Sequence, residues 1–155
     1  MGPQGPVGPT GAAGDDGLGL VIQAGYSANL NPADARTYYV GCFPSIAPST
    51  TADRTRCYVP TSGRIKAVYG TFWNSGTLSS AQTSTIALRV NNTTSTTVSS
   101  TVANNTVITT FSASSLSIAV SAGDYFEVTW ATPTWTTNPT NTRLSVIVYI
   151  GPSVE

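Results

Sequence analysis

The chain has 155 residues, of which 9% are charged and 40% hydrophobic, and its formal net charge is zero. Seven Lys and Arg residues in all leave no basic patch able to neutralise several phosphates, which excludes nucleic acid as a main partner, and no apolar run reaches the roughly 18 residues that cross a bilayer. Histidine is absent, which removes the commonest general base and the commonest metal ligand together.

The first element is a repeat. Gly2-Pro3-Gln4, Gly5-Pro6-Val7, Gly8-Pro9-Thr10, Gly11-Ala12-Ala13 and Gly14-Asp15-Asp16 run into Gly17. Glycine at every third place is the pattern of the collagen triple helix, whose axis admits nothing larger than a hydrogen atom. A strand of that kind is stable only beside two others, so the repeat predicts a homotrimer. The other reading is a disordered Gly/Pro tail. The register ends at Gly17-Leu18-Gly19, dividing the chain into a collagen-like stalk, 1–17, and a head, 18–155.

Beyond the stalk no helical periodicity is sustained, whereas apolar/polar alternation recurs at short spacing. Thr is the most frequent residue, and its branched Cβ favours strands. Strands are expected at Val21–Tyr26, Thr37–Cys42, Thr55–Val59, Ile65–Trp73, Ser84–Val90, Thr106–Phe111, Leu116–Val120, Tyr125–Trp130 and Leu144–Ile150. Turn chemistry separates them at Asn31-Pro32, Thr61-Ser62-Gly63, Asn74-Ser75-Gly76, Asn91-Asn92, Asn104-Asn105, Ala122-Gly123-Asp124 and Asn138-Pro139. Many short strands in one domain predict an all-β fold, most simply a jelly-roll sandwich.

Alternation also assigns faces. Phe126, Val128 and Trp130 share one side, against Tyr125, Glu127 and Thr129, as in a sheet with one wet face. The closing strand is apolar on both sides: Leu144, Val146, Val148 and Ile150 on one, Ile147 and Tyr149 on the other. The Ile65–Trp73 segment is doubled likewise, with Val68 and Phe72 opposite Ile65, Ala67, Tyr69 and Trp73. A strand apolar on both faces needs a partner outside its own core. Val68, Phe72, Ile147 and Tyr149 are therefore the expected trimer contacts.

The residues that carry chemistry elsewhere are sparse. Cys42 and Cys57 have no CxxC spacing and no partner histidine, so no zinc site is expected; they are either a disulfide or two small apolar thiols. Asp124 and Glu127 stand three apart, which on a strand puts them on opposite faces and rules out an acid/base dyad. Asp124 is expected to cap its own turn. Asp53, Arg54 and Arg56 read as a subunit-contact or sugar-binding patch, or as a solvated loop. The Asn-X-Thr sequences at Asn91, Asn92 and Asn104 follow from a composition rich in Asn and Thr. Trp73 and Trp130 read as core. Trp135, in a polar loop between two prolines, is either a contact for a receptor or glycan or a plug for the end of the sandwich. Nothing here assembles a catalytic site, a cofactor site or a metal site.

The Gly-X-Y run Gly2–Gly17, the hairpin-like stretch Leu116–Val128 with its Gly123-Asp124 turn, and the closing strand Leu144–Ile150 together resemble the collagen-stalked trimeric heads of the C1q and tumour-necrosis-factor superfamily. Asn91–Thr101 and Thr132–Pro139 look like sequence of phage collagen-repeat fibre proteins. The resemblance implies a C1q/TNF-like jelly-roll head that trimerises and registers its stalk, and both chain ends at the stalk side. It also implies outer loops that bind a host-surface glycan or protein. The function so implied is structural and adhesive, not enzymatic, on a virion fibre or another extracellular surface. The alternative is a secreted or spore-surface C1q-like module for trimerisation or ligand recognition.

Overall fold

The computed structural model describes residues 2, 19–42, 47–75, 82–93, 95–103 and 107–153. Among the described residues it is all-β, with ten strands, a single 3₁₀ turn at Ala52–Arg54 and no helix long and apolar enough to cross a membrane. The strands are β1 (Leu20–Leu30), β2 (Thr37–Val40), β3 (Cys57–Tyr58), β4 (Gly63–Trp73), β5 (Thr83–Val90), β6 (Ser95–Ala103), β7 (Ile108–Ala113), β8 (Ile118–Val120), β9 (Tyr125–Ala131) and β10 (Thr142–Gly151).

They form two antiparallel sheets. One has the order β1-β10-β4-β7 with β8 also on β4; the other has the order β2-β9-β5-β6 with β3 also on β9. Their inner faces meet in one apolar core, giving a sandwich-like fold. Trp130 of β9 sits at its centre, with ring centroids 6.2 Å from Tyr26 and 5.3 Å from Phe72 in the opposite sheet. Its indole Nε1 donates to Ser84 Oγ at 2.9 Å, so Trp130 buries no unpaired donor.

All nine expected strands overlap observed ones, and the closing strand alternates as read: Leu144, Val146, Val148 and Ile150 point inward. Two departures matter. First, β6 was not expected. Its sequence, Ser95–Ala103, is mostly Ser and Thr, and it pairs with β5 through two register shifts, so no regular alternation marks it. Second, β4 changes face part-way. Tyr149 pairs with Ala67 and Ile150 with Ile65, leaving Lys66 as an extra residue. That bulge reverses the parity of alternation, so Ile65 and Val68 both point inward.

Local chemistry fixes the connections. Gly25 has φ +153° on β1, and a Cβ there would run into the Leu144 carbonyl oxygen, so this close approach of backbones needs glycine. Asn91 and Asn92 both take positive φ in the β5–β6 turn, which Asn tolerates. Leu20 pairs with Ile150 and Leu30 with Thr142. Leu20 and Ile150 therefore lie at the same end of the sandwich, and Leu30 and Thr142 at the other.

Candidate functional site

Three regions of the surface carry candidate residues: the outer face of each sheet and the loops at the end opposite Leu20 and Ile150.

On the outer face of the β1-β10-β4-β7 sheet, Ile147 faces Tyr69 and Ser145 faces Thr71 across β10 and β4. Val21, Tyr69, Ile108 and Ile147 are the large apolar side chains exposed there, at 42% to 61%. Tyr149 is half-buried on the same face. Tyr69, Thr71, Thr110, Ser112, Ser145 and Ile147 line a groove of about 590 Å³. At its edge, the Arg143 guanidinium lies 4.8 Å over the Trp73 ring. Of the four expected contacts, Ile147 and Tyr149 stand on this face. Val68 and Phe72 do not: both are 0% exposed inside the chain's own core, because the Lys66 bulge turns them inward. Their place on the outer face is taken by Tyr69 and Thr71.

The outer face of the other sheet was expected to be wet, and its centre is not. Glu127 on β9 is 0% exposed. Arg89, directly opposite on β5, donates from Nε to Glu127 Oε2 at 3.0 Å. Arg56 Nε lies 3.8 Å from Glu127 Oε1. Each guanidinium in turn lies over a tyrosine: Arg89 4.6 Å from the Tyr39 ring centroid, Arg56 4.3 Å from that of Tyr125. Tyr58 meets Tyr125 edge-on at 5.8 Å. Burial alone lowers the Arg89 pKa, but the hydrogen bond and charge of Glu127, helped by Tyr39, hold it above its ordinary value. A layer of Arg and Tyr thus roofs a buried carboxylate. Sequence reading singled out Arg56 with Asp53 and Arg54, but its partner is Glu127. The register that opposes Glu127 to Arg89 leaves no trace in either strand's own sequence.

Beside this layer, Cys42 and Cys57 are joined as a disulfide, their Cα atoms 5.4 Å apart. It ties the segment carrying the 3₁₀ turn and Arg56 to the end of β2. Asp124 caps the β8–β9 turn as expected. It accepts from the Ser121 backbone N–H at 2.7 Å and from Asn91 Nδ2 at 2.7 Å, while Gly123 supplies φ +90°. These bonds, that from Ser121 foremost, hold its carboxyl below the usual range. Asn91 also accepts from Tyr125 N–H, so its amide is committed to the turn.

At the far end, Trp135 is buried, at 6% exposure, in the main core cluster. Its backbone N–H donates to Asp34 Oδ1 at 3.2 Å, and Asn138 Nδ2 donates to the same oxygen. Gln82 braces the loop through Thr134 O and Thr136. Trp135 is a plug and presents no ring to a receptor. The surface of this end is rich in Asn, Thr, Ser and Gln, with Asp34 and Arg36 exposed among them. Of the collagen glycines, Gly5, Gly8, Gly11, Gly14 and Gly17 lie outside the described residues, as does Asn104.

Comparison with protein-family models, with curated proteins and with solved structures gave no match to this chain.

Proposed function

We propose that the chain is one subunit of a homotrimeric, structural and adhesive protein in which a C1q/TNF-like jelly-roll head terminates a collagen-like fibre and registers its strands. The observation that carries this reading is the outer face of the β1-β10-β4-β7 sheet. It displays Val21, Tyr69, Ile108 and Ile147 together, and an exposed apolar set of this kind on one sheet marks a surface meant to be covered. The Gly-X-Y run, ending at Gly17 just before β1, supplies the stoichiometry: three copies of this face around an axis continuous with the stalk.

The strand order supports the jelly-roll part. If β2 with β3, and β7 with β8, count as single interrupted strands, the first strand neighbours the last in one sheet and the second neighbours the next-to-last in the other. That interleaving is what two Greek keys closing on each other produce. The disulfide supports an oxidising setting, as on a virion or outside a cell. The loops opposite the stalk, polar and carrying one exposed residue of each charge in Asp34 and Arg36, then face outward toward a host surface.

The test is Ile147→Asp. In a free monomer the change falls on a half-exposed position and costs little. In the trimer it buries an unpaired charge at about 3 kcal/mol or more per copy. Light scattering should show loss of the trimer with the β-sheet circular dichroism kept; a variant that remains trimeric with unchanged melting removes this face from the interface.

A further inference from the structure

The Arg56–Tyr58–Tyr125 corner has the makings of a ligand site, and all of it comes from one chain. Arg56 and Tyr58 flank Cys57, so both point outward while Cys57 points into the core at 1% exposure. The disulfide anchors that residue, and Val59 N–H, next in line, is fixed to the Asp124 carbonyl at 2.8 Å. Tyr58 is nonetheless 62% exposed, the most exposed large aromatic or aliphatic side chain among the described residues. A rigidly mounted tyrosine standing in solvent is a stacking platform for the apolar face of a ring.

The charge beside it is unbalanced. One carboxylate, Glu127, serves two guanidiniums, and Glu127 Oε1, Arg56 Nε and Arg89 Nη2 are all buried without a hydrogen-bond partner. The nearest other carboxylate in sequence, Asp124, has both oxygens engaged by Ser121 and Asn91. Asp53 makes no ion pair among the described residues. The Arg56 side chain keeps 31% of its surface open, so a guanidinium with donors to spare lies beside the exposed ring. A planar guanidinium recognises a carboxylate through paired hydrogen bonds.

We infer that this corner binds an acidic sugar unit of a glycan, its ring stacked on Tyr58 and its carboxylate held by Arg56. Glu127 and Arg89 act as positioning residues that keep Arg56 over Tyr125. The inference rests on the adhesive reading above for its biological sense, but the site does not depend on assembly.

The experiment is calorimetric titration of the full chain with three probes: a glucuronic acid oligosaccharide, a neutral glucose oligosaccharide of the same length, and inorganic sulfate. The expected result is saturable binding of the glucuronate probe at one site per chain, weakening with salt, and no binding of the glucose probe. Tyr58→Ala should weaken it about tenfold, and Arg56→Gln should abolish it. Tyr58 is exposed, so its variant keeps the test valid even if Arg56→Gln lowers the melting temperature. Absence of glucuronate binding overturns the inference, and so does equal affinity for the glucose probe. Sulfate binding as tightly as glucuronate, with Tyr58→Ala unaffected, marks an adventitious anion site only and overturns it as well. Light scattering on the same samples separates the two proposals: a trimer that ignores glucuronate sinks this site alone, and a monomer that binds it sinks the trimer alone.

Discussion

Glu127 and Arg89 face each other across β9 and β5, Nε to Oε2 at 3.0 Å, on the side of the sheet that simple alternation assigns to water. The carboxylate is fully buried there because Arg89, Arg56, Tyr39 and Tyr125 close over it. Removing one member of such a pair strands the other. Arg89→Ala is expected to destabilise the head by about 3 kcal/mol in denaturant unfolding, the lower end of what breaking a buried pair costs. Replacing Glu127 by Gln in the same chain should recover part of the loss, because the stranded charge is then gone. A loss under 1 kcal/mol for Arg89→Ala would mean that water reaches Glu127.

Trp135 is expected to act on stability. Its ring fills the end of the core, and truncating a buried tryptophan to alanine removes its apolar contacts and leaves a cavity, at about 3 kcal/mol. Trp135→Ala should lower the melting temperature by many degrees. Unchanged melting would return the side chain to the surface.

The β8–β9 turn should respond to acid. The Asp124 pKa is depressed in the folded state by the Ser121 and Asn91 bonds. Its contribution is therefore complete above the unfolded value of about 3.9 and is lost as pH falls through the lower folded value. Asp124→Asn should lower the melting temperature at neutral pH. The gap between variant and parent should close as the pH falls below the unfolded value and through the lower folded one. A gap that persists at acid pH would assign the effect to shape and not to charge.

Much of this architecture was legible where one residue decides a local geometry. Gly123-Asp124 marked its turn, Asn91-Asn92 marked the β5–β6 turn, and the alternation of Leu144 to Ile150 gave the inner face of β10. What alternation could not carry was a change of parity. The Lys66 bulge on β4 belongs to the pairing with β10, and without that pairing Val68 and Phe72 read as outward. β6 escaped for a related reason: Ser and Thr satisfy an edge strand without an apolar rhythm, and only Val98 among its described side chains is buried. The Glu127 layer was invisible because four separate segments build it. Trp135 was open between two readings because a loop's sequence does not say which way its aromatic folds.

The central claim is the stoichiometry, and the molar mass of the purified chain tests it most directly. Multi-angle light scattering at micromolar concentration should give three times the chain mass of 16.0 kDa. The same ratio should hold after deletion of residues 1–17, because so few triplets hold three chains together only weakly. A stable, folded monomer in both forms would contradict the account.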